Sequence, residues 1–151
     1  MEPALITGLF SRKFDNGIRH IPDKILSEAK KSLQINDWYR DKVLFLAGDN
    51  ESVIALENLG LKVYRNFSDA PDFILDEPVF RMKHWMVYKM LQEFAEVIWI
   101  DWDTISLKPL DDNFYNYCRK FNTPKFVYIP NYHAIINCSV YYVNQSWLPA
   151  M

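Results

Sequence analysis

Hydrophobic residues fall in short continuous runs separated by polar segments, and the runs alternate with amphipathic stretches. Ala4 to Phe10, "ALITGLF", reads as a buried strand entering a polar, turn-like "SRKFDNG". Residues 22–33 follow as a helix with Pro22 at its first position and Ile25, Leu26, Ala29 and Leu33 as an apolar stripe. Residues 42–49, "KVLFLAGD", form a second strand. Residues 50–60 form a second helix, with Asn50 as N-cap and Gly60 as its stop. A third strand is predicted over 61–67, a loop over 68–78, and a long helix from about Val79 to Ala95. Within that helix Met82, Met86, Met90 and Phe94 mark one apolar face, a core-filling row rather than a binding groove. Further strands are expected at 97–101, 125–130 and 138–144.

Strand, helix, strand, helix, strand is the order of a parallel sheet with crossover helices. Apolar runs without alternation fit strands covered on both faces. The pattern therefore predicts an α/β fold, with a mostly parallel central sheet flanked by helices, as one domain over 1–151.

Composition narrows the class. Of 151 residues half are hydrophobic, which suits a packed domain and excludes a disordered chain. The formal net charge of −2 offers no basic field for nucleic acid. Cys118 and Cys138 are too few and too far apart for a disulfide framework or a zinc knuckle, so buried free thiols are expected. No run reaches the roughly 20 apolar residues of a membrane span, and the amino-terminal stretch lacks the pattern of a signal peptide. A soluble cytoplasmic protein is the expectation.

The chemistry concentrates in "VIWIDWDTISL", residues 97–107. Four apolar residues run into Asp101-Trp102-Asp103. In an extended chain residues i and i+2 share a side, roughly 6–7 Å apart. Both carboxylates would then face one site while Trp102 packs behind it. Ligands of open α/β sheets sit beyond the carboxyl ends of the strands. Two hard oxygen ligands there suit Mg²⁺ or Mn²⁺ together with substrate phosphates. The plainer alternative is a polar loop start, with Asp103 capping a turn and Asp101 bonded to backbone. Upstream, Asp76, Glu77 and Pro78 look like a helix start, and Arg81 and Lys83 follow near its first turn. A bound anion would favour cations there, while pairing with Asp76 and Glu77 is the ordinary reading.

With those residues assembled, the chain resembles nucleotide-sugar glycosyltransferases of the GT-A fold. The matching block is "FRMKHWMVYKMLQEFAEVIWIDWDTISLKPLDD": a helix with basic residues, a hydrophobic strand ending in Asp-x-Asp, and the continuation Asp103 to Leu110. A weaker match is "INCSVYYVN", in which Asn137 and Val140 fit the family's pattern and Ser139 replaces the usual glycine. The resemblance implies a Rossmann-like sheet and transfer of a sugar from a nucleoside diphosphate sugar to a hydroxyl acceptor on a glycan, lipid or protein. It implies Mn²⁺ or Mg²⁺ on Asp103 and Asp101. It implies donor contacts from Thr7, Gly8, Phe10, Asp49, Arg81, Lys83, Asp101 and Asn137. It nominates no residue as the base that activates the acceptor. His133 is the sole histidine after the aspartates and the candidate third metal ligand. The chain ends soon after the second block, so a truncated domain and a minimal one working with a partner both fit.

Other readings carry less. A haloacid-dehalogenase-type phosphatase also ends a strand in Asp-x-Asp, but that motif opens its domain and continues with Thr or Val where this chain has Ile105. The spacing matches no EF-hand, Walker loop or nucleophile elbow. A non-catalytic nucleotide-sugar-binding module is the main alternative to an enzyme. Trp85, Trp99, Trp102 and Trp147 could stack on a ligand, with packing the commoner role.

Overall fold

The computed structural model describes residues 2–14, 16–76, 78–104, 106, 108–120, 125–127 and 137–150. Its main sheet is six-stranded, built from β1 (Ala4–Leu9), β4 (Val43–Ala47), β5 (Val63–Asn66), β6 (Glu96–Ile100), β7 (Lys125–Val127) and β8 (Asn137–Asn144). The order across it is β5-β4-β1-β6-β8-β7. β1 pairs in parallel with β4 on one side and with β6 on the other, and β5 extends the parallel set beyond β4. β8 runs antiparallel to β6 and to β7. The expected mostly parallel α/β sheet is therefore present, with an antiparallel strand inserted beside β6.

Two apolar layers cover the sheet, and strand alternation assigns residues to them. On one face Leu5 and Leu9 of β1, Phe45 of β4, and Ile98 and Ile100 of β6 meet three helices. These are α1 (Asp23–Ile35), α3 (Asn50–Asn58) and α6 (Asp112–Arg119). On the other face Ile6, Leu46, Val97 and Trp99 meet α4 (Asp72–Leu75) and α5 (Pro78–Leu91). Met82, Met86 and Met90 of α5 are buried in that second layer, as the core-filling reading of the methionine row expects. Burial of each contributes about 1.5–3 kcal/mol.

The described part corrects several boundaries. α3 is capped by Asp49 rather than Asn50: the Asp49 backbone is extended and its carboxylate accepts from the Ser52 N–H. The segment predicted as a loop over 68–78 contains the short α4, whose Ile74 is buried against α5. α5 ends at Leu91, one turn early, because Gln92 and Glu93 close it with turns onto Lys89 and Met90. The polar stretch after β1 is a small hairpin, β2 (Arg12–Lys13) against β3 (Arg19–His20). Its turn uses Gly17 at φ 79°, the left-handed region that glycine enters without steric cost. The short helix α2 (Tyr39–Lys42) and α6 complete the elements.

Residues 128–130 of the strand predicted over 125–130 lie outside the described residues. So do His133 and the side chains of Asn137, Cys138 and Trp147. Cys118 is buried. Among the described residues no helix is long and apolar enough to cross a membrane.

Candidate functional site

The order of connections creates the crevice. From β1 the chain moves outward to β4 and β5, then returns across to β6 on the other side of β1. β1 and β6 are thus parallel neighbours whose following segments depart in different directions. At such a switch point the carboxyl ends leave an opening between them. A cavity of about 190 Å³ lies there. It is lined by Gly8, Leu9 and Phe10 at the end of β1, and by Trp99, Asp101, Trp102 and Asp103 at the end of β6. Lys83 of α5, Arg12 of β2, and Ile25 and Glu28 of α1 complete the wall.

Both aspartates reach this cavity, but not by the route that alternation suggests. β6 stops at Ile100, and Asp101 opens a tight turn closed by the Thr104 N–H on the Asp101 carbonyl at 3.1 Å. The strand's alternation still governs Asp101. Two positions beyond Trp99, it lies toward α5, and its Oδ1 accepts from Trp99 Nε1 at 2.5 Å and from Lys83 Nζ at 2.8 Å. Lys83 is almost buried, its side chain 9% exposed, with Nζ also over the rings of Trp99 and Tyr141. Its ion pair with Asp101 is the reason an ammonium can occupy this layer. Asp103 is exposed, and no hydrogen bond or ion pair engages its carboxylate among the described residues.

Trp102 has the supporting role foreseen for it. Its ring stacks on Phe45 with centroids 5.8 Å apart, and its Nε1 donates to the Gly8 carbonyl at 2.9 Å. That bond spans the crevice and fixes the end of β6 against the end of β1. The loop after Asp103 is held from the α1 side by Asn36, which is fully buried. Asn36 Nδ2 donates to the Thr104 carbonyl at 3.2 Å and its Oδ1 accepts from the Ser106 N–H at 3.0 Å. The amide grips the backbone on both sides of residue 105.

The remaining residues that the resemblance implied separate into two groups. Gly8 and Phe10 line the cavity together with Lys83 and the aspartates. Gly8 also answers to packing: a Cβ there would lie 2.6 Å from Met86 Sδ and 3.1 Å from the Trp99 ring. Thr7, Asp49 and Arg81 are not among the lining residues. Thr7 is buried within β1 at 1% exposure, on the α1 face of the sheet, and its hydroxyl has no hydrogen-bond partner among the described residues.

Asp49 is engaged as a structural link. Oδ1 accepts from the N–H and hydroxyl of Ser52, and Oδ2 from the N–H and hydroxyl of Ser11. Those four bonds use its acceptor sites and tie the end of β1 to the start of α3. Burial alone would raise its pKa, but the serine bonds outweigh it and hold the carboxyl below the usual value. Arg81 donates to the Phe73 carbonyl at 3.0 Å and so joins α5 to α4.

Sequence reasoning missed Arg12, Glu28 and Ile25 as cavity residues. Arg12 looked like part of a polar turn and Glu28 like the wet face of α1. Only the hairpin and the approach of α1 turn them toward the crevice. The signal available was slight: a cation two residues beyond the first strand, where this class of sheet places ligands.

Fold and site together define an α/β protein with a crevice at the switch point of a mostly parallel sheet. Among known proteins, no family model, no curated protein and no solved structure matches the chain.

Proposed function

We propose that the chain binds a nucleoside diphosphate sugar with a divalent metal in this cavity and transfers the sugar to a hydroxyl acceptor. One observation carries the reading. Asp101 and Asp103 line a single cavity with Gly8 and Phe10, at the carboxyl ends of the two strands where the direction of the connections reverses. Such a crevice suits a nucleotide, and a carboxylate pair within it suits Mg²⁺ or Mn²⁺ that completes its shell with phosphate oxygens and water.

The donor set fits this use. Among the described residues no cluster of three or more His, Cys, Asp or Glu could hold a metal alone, as a dedicated protein cage would. An ion that takes one or two carboxylates plus substrate oxygens needs no such cluster. Asp103 would hold it first, since no other group engages its carboxylate. Asp101 would contribute Oδ2, because Oδ1 is held by Trp99 and Lys83. When bound, the metal supplies charge neutralisation for the departing diphosphate. The Asp101 turn, locked by Trp102 and Asn36, presents the carboxylates without reorganisation. Lys83 keeps Asp101 oriented and adds a positive charge to the wall.

The deciding experiment is a titration of UDP-, GDP- and dTDP-sugars with and without Mn²⁺, followed by assay of released nucleoside diphosphate. Metal-dependent binding with release supports transfer. Binding without transfer or hydrolysis points to a non-catalytic nucleotide-sugar module, and no metal-dependent binding under any condition sinks both. Asp103→Asn is expected to abolish the metal dependence with little change in thermal stability, because no hydrogen bond or ion pair is lost. Normal metal-dependent binding by that variant removes Asp103 from the site.

A further inference from the structure

The charges around the cavity are unevenly committed. Two cations, Arg12 and Lys83, face three carboxylates, Glu28, Asp101 and Asp103, which leaves the wall one negative charge in excess. Lys83 is already paired with Asp101. Glu28 has only a distant contact, 3.9 Å, with the exposed Lys24. The Arg12 guanidinium has no hydrogen bond, ion pair or ring contact among the described residues, although the residue is half-buried and lines the cavity. Arg12 and Glu28 share that wall without forming an ion pair.

A half-buried guanidinium with no partner is uncommon, because its five N–H donors lose water without replacement. Its backbone is fixed, since Arg12 pairs with His20 across the β2–β3 hairpin. Surface arginines elsewhere in the chain do find acceptors: Arg40 bonds the Leu59 carbonyl and Arg65 pairs with Glu93. The exception lies at the cavity. The group that would complete it is an anion with several oxygens, since the guanidinium fork matches phosphate in a two-bond geometry.

We propose that Arg12 is an anion-binding residue of this cavity and grips the diphosphate of the ligand. It supplies positive charge from an element separate from those that carry Asp101, Asp103 and Lys83. This rests on the nucleotide-sugar reading above and adds a residue that the sequence resemblance did not nominate. Its consequence is a division of labour. A wall that is net negative repels a diphosphate until a divalent ion reverses its sign, and Arg12 provides the part of the attraction that needs no metal. Affinity for diphosphate in chelator then depends on Arg12, whereas affinity for Mn²⁺ alone does not.

The test compares the full chain, Arg12→Gln and Arg12→Lys by calorimetry. The probes are UDP, GDP and inorganic pyrophosphate, each with Mn²⁺ and with EDTA; Mn²⁺ binding alone is followed by electron paramagnetic resonance. Arg12→Gln is expected to weaken binding of the probes that the unaltered chain takes up by about 10-fold or more, the loss of a charge-assisted contact. The loss occurs in both media, with Mn²⁺ affinity undiminished. Arg12→Lys restores part of it, as a point charge without the fork. Unchanged affinity in Arg12→Gln overturns the proposal, and so does a parallel loss of Mn²⁺ binding. If the unaltered chain binds pyrophosphate through Arg12 but no nucleoside diphosphate, the anion site stands and the nucleotide-sugar reading falls. If it binds none of the probes, both fall.

Discussion

Removing Asp101 should cost more stability than removing Lys83, although the two lose the same contact. Their charged atoms are 2.8 Å apart. At an effective dielectric constant of about 20 that separation corresponds to a gross attraction of about 6 kcal/mol, much of which is offset by desolvation. The offset is unequal. The Lys83 side chain is 9% exposed, whereas that of Asp101 is 32% exposed. Asp101→Asn takes the carboxylate away from an ammonium in an almost dry layer, where breaking a buried pair costs about 3–5 kcal/mol. The Trp99 and Tyr141 rings, with centroids 5.3 and 5.5 Å from Nζ, return part of that, so a loss of about 2–4 kcal/mol is expected. Lys83→Met leaves a carboxylate that still reaches water and keeps the Trp99 N–H, and its aliphatic replacement suits the Met-rich layer. Its cost should be about 1 kcal/mol. The double variant should resemble Lys83→Met alone, giving a coupling energy of about 2–4 kcal/mol in magnitude. Urea unfolding followed by circular dichroism measures all four proteins, with unchanged m-values as the check on two-state behaviour. If Lys83→Met proves as damaging as Asp101→Asn, the unequal desolvation is wrong and the lysine is held chiefly by its stem.

At the far end of β6, Glu96 accepts two bonds from Arg119, each 2.7 Å, and one from Tyr142 at 2.6 Å. The Arg119 bonds hold its carboxyl below the usual value, against the opposing effect of burial and with help from Tyr142. A depressed folded pKa means stability that is complete above the unfolded value of about 4.5 and lost as pH falls through the folded one. Acid titration of unfolding should show that this limb flattens in Glu96→Gln; an unchanged limb would remove Glu96 from the account. Asn36→Ala removes the bonds to Thr104 and Ser106 and should cost about 2–3 kcal/mol, near 1 kcal/mol per bond plus the Ser106 N–H that loses its acceptor. On the proposed function it should also weaken Mn²⁺ binding by loosening the Asp103 loop. Stability loss with unaltered Mn²⁺ affinity would make Asn36 a packing residue only.

The sheet was legible because its strands are long apolar runs with glycine and polar breaks between them. β1, whose six residues are all buried, β4 and β6 could hardly be read otherwise. What the pattern could not carry was pairing. Nothing local in "CSVYYVN" says that this segment runs antiparallel, because Tyr141 and Tyr142 face opposite layers and both are buried. The short α4 was hidden for a different reason. Four residues give no period to detect, and the helix exists because Ile74 docks under α5 while Pro71 starts the turn.

At the site, the sequence named two carboxylates that line the cavity, through an argument that needs amending. Extended alternation from Ile100 to Asp103 would have made the two aspartates equivalent. The turn at Asp101 separates them into an oriented, lysine-bound carboxylate and an exposed one that has no partner among the described residues. That inequality is invisible in Asp-x-Asp, since it depends on Trp99 two residues earlier and on Lys83 eighteen residues earlier meeting one oxygen. Asp49 illustrates the opposite case. Its position at a strand end is where a ligand contact belongs, yet Ser11 and Ser52 saturate it, and only the placement of β1 beside β4 brings Ser11 near. Position along a strand therefore finds the candidates, and the hydrogen-bond account of each carboxylate decides among them. By that criterion Asp103 and Arg12, both at the cavity and neither satisfied among the described residues, have the strongest claim to a ligand.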